Sequence, residues 1–132
     1  AQEVETTLGA PSAHLVNDFI NAVVARDFAK GAQVLGQASE TVGDMKIFLD
    51  LVVRKVRFVL ILRFAPGMKG EVQANSSEED FVLLEKLAKE AGKTLASKEL
   101  LALLGAYADL RTASVPTLPL ELALLRIIGE GN

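Results

Sequence analysis

The chain has 132 residues, half of them apolar and 23% charged, with a formal net charge of -3, no cysteine and no tryptophan. A chain of this length buries roughly two-thirds of the surface it exposes when unfolded, so one core suffices. The acidic balance supplies no general field for phosphate backbones, and without cysteine there is no disulfide framework, thiolate metal site or cysteine nucleophile. A mean hydropathy of +0.31 is high for so charged a chain and predicts a large core together with apolar surface that meets a partner.

The chain opens on Ala1, Gln2 and Glu3, with neither an initiator methionine nor a signal-peptide pattern, and is expected to be a piece of a longer polypeptide. Pro11 and Ser12 form a helix start and N-cap. From Leu15 the residues Val16, Phe19, Ile20, Val23 and Val24 recur at helical spacing, which predicts a first helix ending near Ala25. Asp27 is placed to cap a second helix with a buried stripe of Phe28, Ala32, Leu35 and Ala38. Its internal Gly31 and Gly36 either weaken it or mark close helix contacts, and Gly43 stops it.

From Asp44 a long third helix is predicted to reach about Phe64, with Lys46, Asp50, Arg54 and Arg57 on one narrow polar stripe and apolar residues nearly all round the rest. Such a helix belongs at the centre of an assembly of helices. Its Lys46/Asp50 and Asp50/Arg54 pairs are spaced for ion pairing. The apolar run Leu51 to Phe64 is interrupted by Arg54, Lys55, Arg57 and Arg63 and falls short of the ~20 apolar residues that span a membrane.

Ala65 to Asn75 contains Pro66, Gly67 and Gly70 without helical periodicity and reads as a mobile loop. Ser76 and Glu79 have capping-box spacing, and Glu78, Glu79 and Asp80 put negative charge at the start of a fourth helix with a core stripe of Phe81, Leu84, Leu87, Ala88 and Ala91. Gly92 ends it. Ser97 is expected to cap a fifth helix carrying Leu100, Leu103, Leu104, Tyr107 and Leu110, which breaks near Ser114. A sixth begins after Thr117, with Pro119 tolerated in its first turn. No stretch alternates like a strand, so the fold class is all-α, an antiparallel bundle of five to six helices.

Catalytic patterns fail on inspection. Gly92, Lys93 and Thr94 spell the end of a phosphate-binding loop, but five residues before Gly92 stands Leu87, within a helix, instead of the required glycine. His14, the single histidine, lacks a partner in sequence and reads as a surface residue, and the acids at 78 to 80 lack calcium-loop spacing. Arg54, Lys55, Arg57 and Arg63 form the best local argument for phosphate contacts. They lack interleaved aromatics, so a solvated face or an acidic protein partner is the better reading.

The sixth helix differs. Leu120, Ala123, Leu124, Ile127 and Ile128 make one apolar face, and Leu118, Leu122 and Leu125 make much of another apolar. A helix apolar on more than one side is either central to its own bundle or docked against another subunit. The candidate interface residues are therefore Leu118, Leu120, Glu121, Leu122, Leu124, Leu125, Arg126 and Ile128.

The segment Ala113-Ser-Val-Pro-Thr-Leu-Pro-Leu-Glu-Leu-Ala-Leu-Leu-Arg126 resembles the closing signature of the collar (third) domain of the gamma/tau subunit of bacterial DNA polymerase III, in which a proline-bearing turn introduces a Leu-Glu-Leu-Ala helix. Val4-Glu-Thr-Thr-Leu-Gly9 is similar to that family's link out of its ATPase lid domain, and Phe19 to Phe28 to its first collar helix and short Arg-Asp turn. The resemblance spans essentially the whole chain and departs at the polar stretch 65 to 75 and at the turn Ala113 to Thr117. It implies residues 1–11 as a linker from a preceding AAA+ lid and 12–132 as a helical collar domain. It further implies no catalytic role for this segment, with ATP and magnesium confined to the preceding AAA+ module. The implied partners are other gamma/tau copies, delta, delta-prime and a psi-like accessory protein in the cytoplasm, with no direct nucleic acid and no membrane. The reading from another class is a free-standing helical adaptor.

Overall fold

A computed structural model describes residues 10–92 and 94–129, so residues 1–9 of the linker expected at 1–11 and the closing Gly131 lie outside the described residues. The described residues form seven α-helices and no strand: α1 Ala10–Ala25, α2 Phe28–Thr41, α3 Met45–Phe64, α4 Lys69–Ala74, α5 Glu78–Glu90, α6 Ser97–Leu110 and α7 Leu118–Ile128. A 3-10 turn, Pro66–Met68, joins α3 to α4.

Helix α1 begins at Ala10, ahead of the expected Ser12 cap, because Pro11 is accommodated in a first turn that needs no N–H from it. Arg26 ends the helix in the left-handed region, φ 57°, and the Asp27 N–H returns to the Ala22 carbonyl at 2.9 Å. The Asp27 carboxylate then accepts from the Lys30 N–H at 3.1 Å and starts α2 as anticipated. Within α2 the buried line is Gly31, Val34, Leu35 and Ala38, so the expected Phe28 and Ala32 are only half-buried.

Helix α3 is the centre. Asp44 caps it by accepting from the Lys46 N–H at 2.9 Å, and it packs against α1, α2, α4, α5 and α6. Phe48, Leu49, Val52, Val56 and Val59 are fully buried along it, and Phe48 meets Phe19 of α1 edge-to-face, with ring centroids 5.9 Å apart.

The stretch 65 to 75, expected to be a loop, is a 3-10 turn followed by α4, which accounts for seven helices among the described residues where five to six were expected. Pro66 presets the φ of the turn, and one side chain, Val72, is buried against the core and anchors the short helix. The cap of α5 shifts by one residue as well. The Ser76 N–H bonds back to the Gln73 carbonyl, so Ser76 closes α4, and the Ser77 hydroxyl accepts from the Asp80 N–H at 3.1 Å.

At α6 the cap position is Ala96, one residue before the expected Ser97; Glu99 accepts from the Ala96 N–H at 2.9 Å. The inward residues of α6 are Glu99, Leu103 and Ala106, whereas Leu104, read as part of the core stripe, is exposed. The stripe is rotated because Arg26 draws Glu99 inward, against the rule that carboxylates face water.

Candidate assembly surface

Thr117 and Pro119 start α7, the Thr117 hydroxyl lying 3.0 Å from the Glu121 carboxylate, and Gly129, at φ 88°, ends it with its N–H on the Leu125 carbonyl. The eight candidate interface residues divide. Leu120 and Leu124 are fully buried in the chain's own core together with Ala123 and Ile127. Leu118 and Arg126 are exposed, and Glu121, Leu122, Leu125 and Ile128 are half-buried. One face of α7 is therefore core, and the other, with Leu118, Leu122, Leu125 and Arg126, stays exposed or half-buried.

The free face of α7 continues onto α6. An Arg126 guanidinium nitrogen lies 3.7 Å from the point a Cβ would occupy at Gly105, so the stripe 118, 122, 126 runs beside the outward residues of α6. Among those, Leu101 is 68% and Leu104 42% exposed, alongside 53% for Val115 and 41% for Leu118. Leu101 was not singled out in sequence. Its signal was an apolar residue off the core stripe, the same excess that marked α7.

Of the basic residues of α3, the four singled out for phosphate contacts, Arg54, Lys55, Arg57 and Arg63, are dispersed by the fold. The Lys55 ammonium is drawn inward to the Asn17 side-chain carbonyl at 2.7 Å and the Asp80 carboxylate at 3.0 Å. The Arg63 guanidinium donates to the carbonyls of Gly92 and Leu95, both at 2.8 Å. Of these four, Arg54 and Arg57 stay exposed. Asp50 pairs with Lys46 at 3.2 Å as expected, but the Asp50/Arg54 pair does not form, since the Tyr107 hydroxyl from α6 donates to Asp50 and Arg54 lies over the Phe58 ring. That hydroxyl bond holds the Asp50 carboxyl below the usual carboxylate range, while burial, then the bond to Asp50, raises the Tyr107 phenol well above its ordinary value.

Of the phosphate-loop look-alike, Lys93 lies outside the described residues, Gly92 follows the C-cap residue Ala91, and the Thr94 hydroxyl donates to the Ala91 carbonyl at 3.3 Å. His14, a surface residue as expected, has a partner after all in Asp18, one turn away at 3.2 Å. Among the described residues no cluster of three or more His, Asp or Glu side chains is arranged to hold a metal ion.

The family described as DNA polymerase III subunits gamma and tau, domain III, matches residues 1–131. The chain belongs to this family. The match takes in both terminal segments that carried the resemblance and the middle, where only helix order and spacing had guided the reading. Neither a curated protein nor a solved structure matches the chain significantly. As a domain III the chain has a clamp-loader role in general, within the DNA polymerase III assembly, and the all-helical architecture accords with it. Among the described residues no helix is long and apolar enough to cross a membrane.

Proposed function

We propose that the chain is the collar by which a gamma/tau-type subunit joins its neighbours in a ring of five, with the α6/α7 face as one of the joining surfaces. One observation carries the reading: in a member of the domain III family, the last two helices and the turn between them leave Leu101, Leu104, Val115 and Leu118 in water after the core is complete. Covering a leucine fully contributes about 1.5–3 kcal/mol, so a few such side chains supply a useful fraction of an interface. Leu122, Leu125 and Ile128 extend the face, and Glu121 and Arg126 give it charges that set register and partner choice.

Ring contacts run head to tail, so the surface opposing this face on the next subunit differs from it. The neighbours are further gamma/tau copies, delta and delta-prime, with a psi-like protein as an accessory, in the cytoplasm. Residues 1–11 lead in from the AAA+ lid. ATP and magnesium act in that module, and the collar holds the ring closed at one end while the ATPase modules move.

Light scattering on the chain mixed with delta and delta-prime collar domains should report a heteromeric complex. Leu101→Asp with Leu118→Asp, at exposed positions that leave the helical circular dichroism intact, should abolish it. Undiminished assembly of this variant would remove α6/α7 from the interface, and failure of the parent to associate at all would refute the collar reading.

A further inference from the structure

Helix α3 and the Pro66–Met68 turn with α4 enclose a cleft of about 370 Å³, with Phe58, Ile61, Met68 and Val72 as its apolar lining and Arg54 and Arg57 exposed beside it. A smaller pocket of about 170 Å³ shares Arg54, Phe58 and Asn75 with it and continues to Ser76 and Ser77.

The two arginines stand apart from the other cations of α3. Lys46 and Lys55 have carboxylate partners and Arg63 holds two backbone carbonyls, whereas among the described residues no carboxylate lies within 4.0 Å of Arg54 or Arg57. Arg54 is also pre-oriented, its guanidinium 5.5 Å from the centroid of the Phe58 ring. Two cations lacking carboxylate partners beside an apolar lining match a ligand that is both anionic and apolar, the attraction being local to Arg54 and Arg57.

A nucleic-acid backbone fits poorly. It needs a continuous track of many cations, whereas this cleft offers two, Arg54 and Arg57, enough for one or two carboxylates placed away from Glu71 on its wall. A second copy docking through α6/α7 would bring Arg126 against Arg54 and Arg57, like charge against like. We propose that this cleft docks an acidic segment of a different protein, whose carboxylates engage Arg54 and Arg57 while a leucine or phenylalanine beside them covers Phe58, Ile61 and Met68. The site is separate from the α6/α7 face and does not depend on it.

The probe is a fluorescein-labelled peptide of sequence Glu-Asp-Leu-Glu-Asp-Phe-Glu, titrated with the chain and followed by anisotropy. Saturable binding is expected, weakening as salt rises. It should weaken on the order of tenfold or more in R54E/R57E and again in Met68→Asp. All these side chains are exposed, and helical circular dichroism verifies that the variants fold. Leu118→Asp should bind as the parent does. The proposal is overturned if no saturable binding occurs, or if R54E/R57E binds equally well. It is equally overturned if a labelled single-stranded oligonucleotide binds more tightly than the peptide and loses that binding in R54E/R57E, which would make the cleft a nucleic-acid site.

Discussion

Arg26 and Glu99 meet across 73 positions of sequence and determine how the α5–α6 connection lies. The Arg26 guanidinium reaches Glu99 at 2.8 Å, the Thr94 carbonyl at 3.0 Å and the Val23 carbonyl at 2.8 Å, and its backbone takes the left-handed conformation more usual for glycine or asparagine. Glu99 is only 2% exposed, its second oxygen held by the Ala96 N–H. With Arg63 donating to Gly92 and Leu95, two arginines hold the segment that follows α5 by its carbonyls. Removing Arg26 leaves Glu99 buried without its counter-charge, so Arg26→Ala should lower unfolding free energy by about 3 kcal/mol in urea titrations. Arg54→Ala, on the exposed side of α3, should stay within about 0.5 kcal/mol of the parent. In sequence Arg26 showed only as part of a short Arg-Asp turn and Glu99 did not stand out, because a single charge looks like a solvent-facing residue until its partner arrives from elsewhere.

Among the elements, α2 shows how one glycine can be structural while its neighbour is not. A Cβ at Gly31 would come within 2.3 Å of a Leu124 methyl, and Leu124 is fully buried, so α2 and α7 approach through that gap. At Gly36 nothing lies within 4 Å. Gly36→Ala should therefore stabilise the chain by about 0.5–1 kcal/mol through helix propensity alone, whereas Gly31→Val should destabilise it by about 1–3 kcal/mol or more by overpacking; thermal melts of the two variants moving in opposite directions would establish the contact. The periodic elements α1, α2, α3, α5, α6 and α7 were legible in sequence, since apolar spacing and the Asp27 and Asp44 caps are local signals. Helix α4 was not, because its six residues carry one buried side chain and show no period, and its helicity depends on the docking of Val72.

Across the whole molecule, the Tyr107–Asp50 hydrogen bond ties α6 to the central helix and makes stability depend on pH at both ends of the scale. The Asp50 carboxyl is lowered in the folded state, so its contribution is complete above the unfolded value near 4 and is lost as pH falls. Tyr107 is raised, so its contribution is complete below about pH 10 and is lost as pH rises. Urea midpoints of Tyr107→Phe should fall less steeply than the parent's both below about pH 4 and above about pH 10; parallel profiles would show that the bond does not form in solution. By itself the sequence determined the all-helical class, the caps that start α2 and α3, the centrality of α3 and the family, because helical periodicity and terminal motifs are encoded within a few residues of one another. Only the tertiary structure decided that Leu120 and Leu124 belong to the core while Leu118 stays in water, that Leu101 and Leu104 join it, and that Arg54 and Arg57 are left without a carboxylate partner among the described residues. Those outcomes depend on which helix covers which face, and a doubly apolar helix or a run of arginines fits several packings equally well until its neighbours are in place.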